Sequence, residues 1–351
     1  VTGDANASAD VPFVVRASAP VRTADVGGWT DTWFASTGLV CNVAIEHRAR
    51  VTVRVDPTGP REVRLRLAIT DEDYTFTVDE PALLHPIIEG AIAALAPGGS
   101  VEVDIDDSIE PGSGLGTSAT VMVAMVAALV CASGEAIDPA SIASAAHRFE
   151  TATGKQSGVQ DHWAAAFGGV SLLHVDYPQV RRGAVSVAST VEHELGRALH
   201  TVWFGQPHAS SALHDEVIAR LELEGAPVAL ERMRVAAAAA ARALADGDLT
   251  QYGTALVENH EAIRLLHGDL LSDDADELST MAAALGARGW KVNGAGGSGG
   301  SMVVLGPADR EADEALREAI AARPGWGLIV APVATRGVVA ERFAADGGAS
   351  R

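Results

Sequence analysis

Residues 111–119, Pro111-Gly112-Ser113-Gly114-Leu115-Gly116-Thr117-Ser118-Ala119, carry the densest chemical signal in the chain. Their three glycines stand between an alternating run (Val101, Val103, Ile105) and a long apolar stretch that starts near Thr117. Glycine tolerates left-handed dihedrals and close approach, so such a loop can fold its N–H groups around an anion. A helix behind it adds unpaired N–H groups and the positive end of its dipole. Thr117 and Ser118 bring hydroxyls to where a magnesium ion on a phosphate would be met. The chemistry is that of a triphosphate cradle, although a glycine-rich turn between strand and helix is by itself common. It is not a Walker loop, because no lysine follows the last glycine and G-x-x-x-x-G-K-[ST] occurs nowhere in the chain.

Two further glycine-rich blocks carry charge. The first runs from Ala19 to Asp31 and holds Arg22, Gly27, Gly28, Trp29 and Thr30. The second is Lys291-Val-Asn-Gly-Ala-Gly-Gly-Ser-Gly-Gly300. A kinase must align a hydroxyl with a γ-phosphate and neutralise the charge that builds on the phosphoryl oxygens. Asp31 can hold a polyol through two hydroxyl hydrogen bonds; taken alone it serves equally as an Asx-turn or a helix cap. Glu150, ending a helical segment, and Asp161, after Ser157-Gly-Val-Gln, form a second acidic pair. In isolation they read as an exposed helix residue and a helix N-cap. The late block satisfies G-x-G-x-x-G, but a strand-like run, Met302 to Leu305, follows it where a dinucleotide fingerprint must open a helix. A nicotinamide-dependent oxidoreductase is therefore disfavoured.

The three blocks together, in order and spacing, resemble the GHMP kinase family across nearly the whole chain. The Gly-Gly-Trp-Thr-Asp form is similar to its sugar 1-kinase branch, bacterial fucokinases first and heptose 7-phosphate kinases at one remove. The resemblance implies an α+β, two-domain fold: an N-terminal ribosomal-S5-like domain and a C-terminal ferredoxin-like α/β domain with extra helices. It implies an ATP-dependent transfer of the γ-phosphoryl group to a sugar hydroxyl, the anomeric one, with Asp161 and Arg22 catalytic. The ATP phosphates would lie on Pro111, Gly112, Ser113, Gly114, Leu115, Gly116, Thr117 and Ser118. Mg2+ would be held by Ser118 and Glu150. The sugar would meet Asp31 with Gly28, Trp29 and Thr30 of the first block, His162, and Gly296 and Gly297 of the last. Thr32-Trp33-Phe34 stands where the fucokinase pattern continues with prolines, and His162 where glutamine is common, so neither fucose nor a heptose 7-phosphate is fixed as acceptor, and galactose or an amino- or deoxysugar of a secondary pathway stays open. Trp29, Trp33 and His162 are equally suited to packing. A non-catalytic nucleotide or sugar sensor would be expected to lose Asp161, Arg22 or the metal ligands, and all are present.

Composition narrows the partners. The chain of 351 residues suits two domains, and its net charge of -20 argues against nucleic-acid or acidic-membrane surfaces. Two cysteines, Cys41 and Cys131, give no disulfide framework and no zinc pattern, which points to a reducing, cytoplasmic setting. The longest apolar stretch, 119–132, is shorter than the roughly 20 residues a membrane span requires. Residues 1–10 read as a frayed end without a signal peptide's basic start or apolar core.

The elements that must position these groups follow from periodicity. Strands are expected at 13–17, 40–45, 49–55, 62–69, 101–105, 170–175, 200–204, 301–306 and 327–333. Helices are expected at 84–96, 117–132, 139–153, 160–167, 210–223, 227–246, 249–267, 273–287 and 310–322. A seam near 178–195 divides an N-terminal domain, 11–185, from a C-terminal one, 186–351.

Overall fold

Period-two burial builds a first, large sheet. In the computed structural model, which describes residues 11–106, 109, 112–154, 157–207, 211–224 and 227–345, β1 (Phe13–Val26) buries Val15, Ala17, Ala19 and Val21. Pro111 lies outside the described residues. Beside β1 runs β2 (Thr37–Asp56), one continuous strand where two were expected. Glu46, His47 and Arg48 interrupt the apolar pattern because a bulge sits there. Val21 pairs with Ile45 and Pro20 with Arg48, which leaves Glu46 and His47 over.

Next come β3 (Glu62–Leu67), β4 (Glu72–Thr77), α1 (Pro86–Leu95) and β5 (Ser100–Asp106). β5 joins β2 antiparallel and β3 parallel. Three helices follow, α2 (Thr117–Ala132), α3 (Pro139–Ala152) and α4 (Gln160–Phe167). α2 is buried almost all round, so its sequence has no polar stripe. Asp138 caps α3, its carboxylate accepting from Ser141 N at 2.9 Å, with Pro139 at the first helical position. The hairpin β6 (Val170–Asp176) and β7 (Gln179–Ala184) extends the sheet from the first half of β2.

The remaining chain gives α5 (Ser189–Ala198), β8 (Leu199–Trp203), α6 (Ser211–Glu224), α7 (Pro227–Asp246), α8 (Leu249–Leu266) and α9 (Asp273–Ala284). It ends with β9 (Gly289–Val292), β10 (Ser301–Leu305), α10 (Arg310–Ala321), β11 (Gly327–Val330) and β12 (Val339–Ala344). Strands β11, β8, β10 and β9, in that order, form a second antiparallel sheet. β12 instead returns to the first sheet and pairs antiparallel with β1, Phe13 opposite Ala344. The architecture is α+β.

Strands β4, β7, β9 and β12 and helix α5 had no counterpart among the expected elements. Each is short, and the charged edge strand β4 (Glu-Asp-Tyr-Thr-Phe-Thr) has the composition that blunts sheet edges. A shared apolar cluster locks the two sheets together. Val21, Val26, Cys41 and Val43 of the first pack with Ala237, Ala240, Tyr252 and Val303 of the second half. That packing carries the late glycine block against the first one. Among the described residues no helix is long and apolar enough to cross a membrane.

Candidate active site

The glycine loop has the backbone its sequence demands. Gly112, Gly114 and Gly116 have φ of 71°, 75° and 74°, the left-handed region that glycine alone enters without strain. Gly116 is the N-cap residue of α2, and no side-chain hydrogen bond caps it. The N-terminus of a buried 16-residue helix, the positive end of its dipole, thus opens at the loop. Leu115 anchors the loop in the core at 0 % exposure, while Ser118 stands exposed at its rim. Ser113 is buried, its hydroxyl 3.4 Å from that of Thr117.

Asp161 lies against this loop. A Cβ built on Gly116 would come within 2.8 Å of Asp161 Cγ, so the carboxylate fills the space a side chain would take. It sits in the first turn of α4 and is not the N-cap, which is Val159. Arg22 Nε donates to Asp161 Oδ1 at 2.7 Å, and Arg22 Nη1 donates to the Gly114 carbonyl. Arg22 therefore ties the first block, the glycine loop and α4 together from a buried position between two shifts in the β1 register. Burial alone would make this guanidinium less basic. Asp161, Asp25 and Asp31 outweigh that and hold it above its ordinary value.

Asp31 is buried, and its Oδ2 accepts from the backbone N–H of Gln160 at 3.0 Å. Burial pushes its pKa up to about 6; the Gln160 hydrogen bond opposes the rise and the charge of Asp161 adds to it. Gly158 makes room for it, since a Cβ there would stand 2.3 Å from Asp31 Oδ2. On the other side of the glycine loop, Ser118 Oγ donates to Glu150 Oε1 at 2.8 Å and Ser157 Oγ donates to Oε2 at 3.2 Å. Glu150 is buried, not an exposed helix residue.

Two cavities flank the loop. One, about 190 Å³, has Asp31, Asp161 and Arg22 in its wall together with Trp29, Trp33 and Phe34. The other, about 460 Å³, lies beside Gly112, Thr117 and Ser118 and is walled by apolar residues including Leu67, Ile87, Val121 and Met122. Of the residues expected to meet the sugar, Asp31 and Trp29 line the smaller cavity, and five do not. His162 is 0 % exposed and points to Glu150 instead, its Nε2 2.8 Å from Oε2. Thr30 is a turn residue, its hydroxyl donating to Gly27 O at 2.7 Å. Gly28 packs on Asp25, where a Cβ would lie 2.8 Å from Oδ2. Gly296 and Gly297 pack on Leu270, whose carbonyl accepts from Gly297 N at 2.7 Å.

The late loop reaches the cavity one step earlier, through Gly294 and Ala295, and the Ala295 carbonyl accepts from Trp29 Nε1 at 3.2 Å. Sequence reasoning also missed His214 and Ile218 of α6, which complete the wall. Nothing local marks them, because only the docking of α6 turns that face inward.

Residues 86–169, which span α1 to α4 and the glycine loop, match the profile of the GHMP kinases N terminal domain. A galactokinase of Mycobacterium tuberculosis is 29% identical over 342 residues, 86% of this chain and 92% of the relative. The chain is thus similar to GHMP kinases over most of its length and carries their N-terminal domain at residues 86–169. It is accordingly a phosphotransferase with a hydroxyl acceptor. Solved structures share the two-domain fold of these kinases. A D-glycero-D-manno-heptose 1-phosphate kinase from Bacteriodes thetaiotaomicron superposes with a TM-score of 0.73 at 20% identity, covering 93% of this chain and 98% of the other. Lactococcus lactis galactokinase complexed with galactose gives 0.68 at 19%, covering 93% and 95%.

Proposed function

We propose that this GHMP kinase transfers the γ-phosphoryl group of ATP to the anomeric hydroxyl of an uncharged pyranose, fucose-like or galactose-like. The observation that carries the reading is the carboxylate of Asp161 seated against Gly116, with Arg22 joining it to the loop carbonyl of Gly114. That geometry supports a reading in which Asp161 accepts a proton beside a phosphate nest. The sugar enters the smaller cavity, where Asp31 accepts hydrogen bonds from two of its hydroxyls and Trp29, Trp33 and Phe34 meet its carbon face. As the new O–P bond forms, the bond from Pγ to the bridging oxygen breaks, ADP leaves, and the hydroxyl proton goes to Asp161. Arg22 shares the charge that develops.

The apolar cavity next to Gly112 suits the nucleobase. Ser118 Oγ and Glu150 Oε1, 2.8 Å apart at the N-terminus of α2, form an oxygen donor pair that fits magnesium, which takes few protein ligands. These two residues would hold the ion, and the bound ion would neutralise phosphate charge. Among the described residues lining the sugar cavity Arg22 is the sole arginine, and it is engaged with Asp161 and Gly114. A sugar phosphate asks for more than that, which favours a free sugar. The 29% identity to a galactokinase supports a galactose-like acceptor alongside the fucose-like one.

The test is ATP consumption across a panel of free sugars, with the phosphorylated carbon read by NMR. Asp161→Asn should fold, bind ATP and lose about 10²- to 10⁴-fold in turnover. Unchanged turnover would refute its role. Silence on every sugar with ATP binding intact would favour a sensor.

A further inference from the structure

One buried ion pair joins pieces of the site that are far apart in sequence. Asp25 and Lys291 are each 0 % exposed, and the Lys291 ammonium donates to Asp25 Oδ1 at 2.8 Å. Gly294 N–H donates to the same oxygen at 3.2 Å, and the side-chain amide of Gln160 donates to Oδ2 at 3.1 Å. Gln160 opens α4 and precedes Asp161, whereas Gly294 belongs to the late loop that walls the cavity. One carboxylate therefore holds β1, α4, β9 and the late loop at a single point. It sits at the register shift between Thr23 and Val26, beside Ala24 at φ 53°, where the irregular strand re-aims a side chain.

Stability alone is a weak reason for such a pair, because a well-packed apolar pair of similar volume is often as stable. An apolar pair would, however, leave the Gln160 amide and the Gly294 N–H without their acceptor. Neither Asp25 nor Lys291 borders either cavity, so neither meets a substrate. We propose that Asp25 and Lys291 are positioning residues that set the start of α4 and the Gly294–Ala295 wall against each other, fixing where Asp161 stands relative to the acceptor. The effect on turnover rests on the kinase reading above; the effect on the loop does not.

Three variants test this, read by unfolding midpoint, Gly294 amide exchange and steady-state kinetics. In the double variant Asp25→Leu/Lys291→Met the unfolding midpoint should stay within a few degrees of wild type. Its Gly294 amide should exchange with solvent at least tenfold faster, and kcat should fall at least 100-fold with KM for ATP changed less than threefold. The polar double variant Asp25→Asn/Lys291→Gln keeps an acceptor and a donor in place, and should recover at least tenfold of that kcat. A folded apolar variant with kcat within threefold of wild type, or with unchanged Gly294 exchange, overturns the assignment. If the apolar variant does not fold, Asp25→Asn is read in its place, and wild-type kcat with wild-type exchange overturns it equally. Were wild type itself to phosphorylate no sugar, the proposed function would fall, and Gly294 exchange would still decide the role of the pair.

Discussion

Replacing Asp31 with asparagine should make the protein more stable at neutral pH and worse at holding its acceptor. Asp31 is 2 % exposed, and its pKa stands at about 6 against an ordinary 3.8. Two pKa units at about 1.4 kcal/mol each amount to roughly 3 kcal/mol of strain in the ionised form. The sign follows from proton binding. The folded value lies above the unfolded one, so between about pH 4 and 6 the folded protein holds a proton that the unfolded chain has released. Stability from this group therefore falls as pH rises through that window, and the full penalty stands above pH 6. Asparagine keeps an oxygen for the Gln160 N–H, now 3.0 Å from the carboxylate, and removes the charge. Denaturant unfolding of both proteins should show Asp31→Asn ahead by about 1–3 kcal/mol at pH 7, with the gap closing near pH 4. The sugar KM should rise at least tenfold while ATP binding is unchanged. A variant less stable at pH 7, or a gap that ignores pH, would refute the argument.

Two other substitutions probe the loop. Gly116→Ala places a methyl 2.8 Å from Asp161 Cγ at a φ of 74°, so it should cost about 1–2 kcal/mol of stability and displace the carboxylate. Misplacement on that scale should lower kcat about 100-fold, with little change in sugar KM, by steady-state kinetics; wild-type kcat would contradict the seating of Asp161. Ser118→Ala removes the hydroxyl 2.8 Å from Glu150 and should raise the magnesium needed for half-maximal nucleotide binding about tenfold. Calorimetry with and without the ion checks this, and sugar binding should not move.

What the sequence determined alone was local and periodic. The left-handed glycines, the helix at 117–132 and the Asp138-capped helix from Pro139 are written in conformational preference and burial pattern, which neighbours in the chain decide. The resemblance to the GHMP kinases that the glycine-rich blocks carry marked out Arg22, Asp31, Asp161, Ser118 and Glu150, and the fold gathers them around one loop. Which way a side chain faces was decided elsewhere. His162 adjoins Asp161 in sequence, yet one step round a helix turns it some 100° away, behind Glu150 and out of the cavity. His214 and Ile218 reach the cavity because α6 docks across it, and Asp25 finds Lys291 across 266 positions of chain. β12 returns to β1 by pairing that no local pattern encodes. Long-range burial and hydrogen-bond satisfaction choose among orientations that local preference leaves open, so only the tertiary structure could tell wall residues from those packed behind the wall.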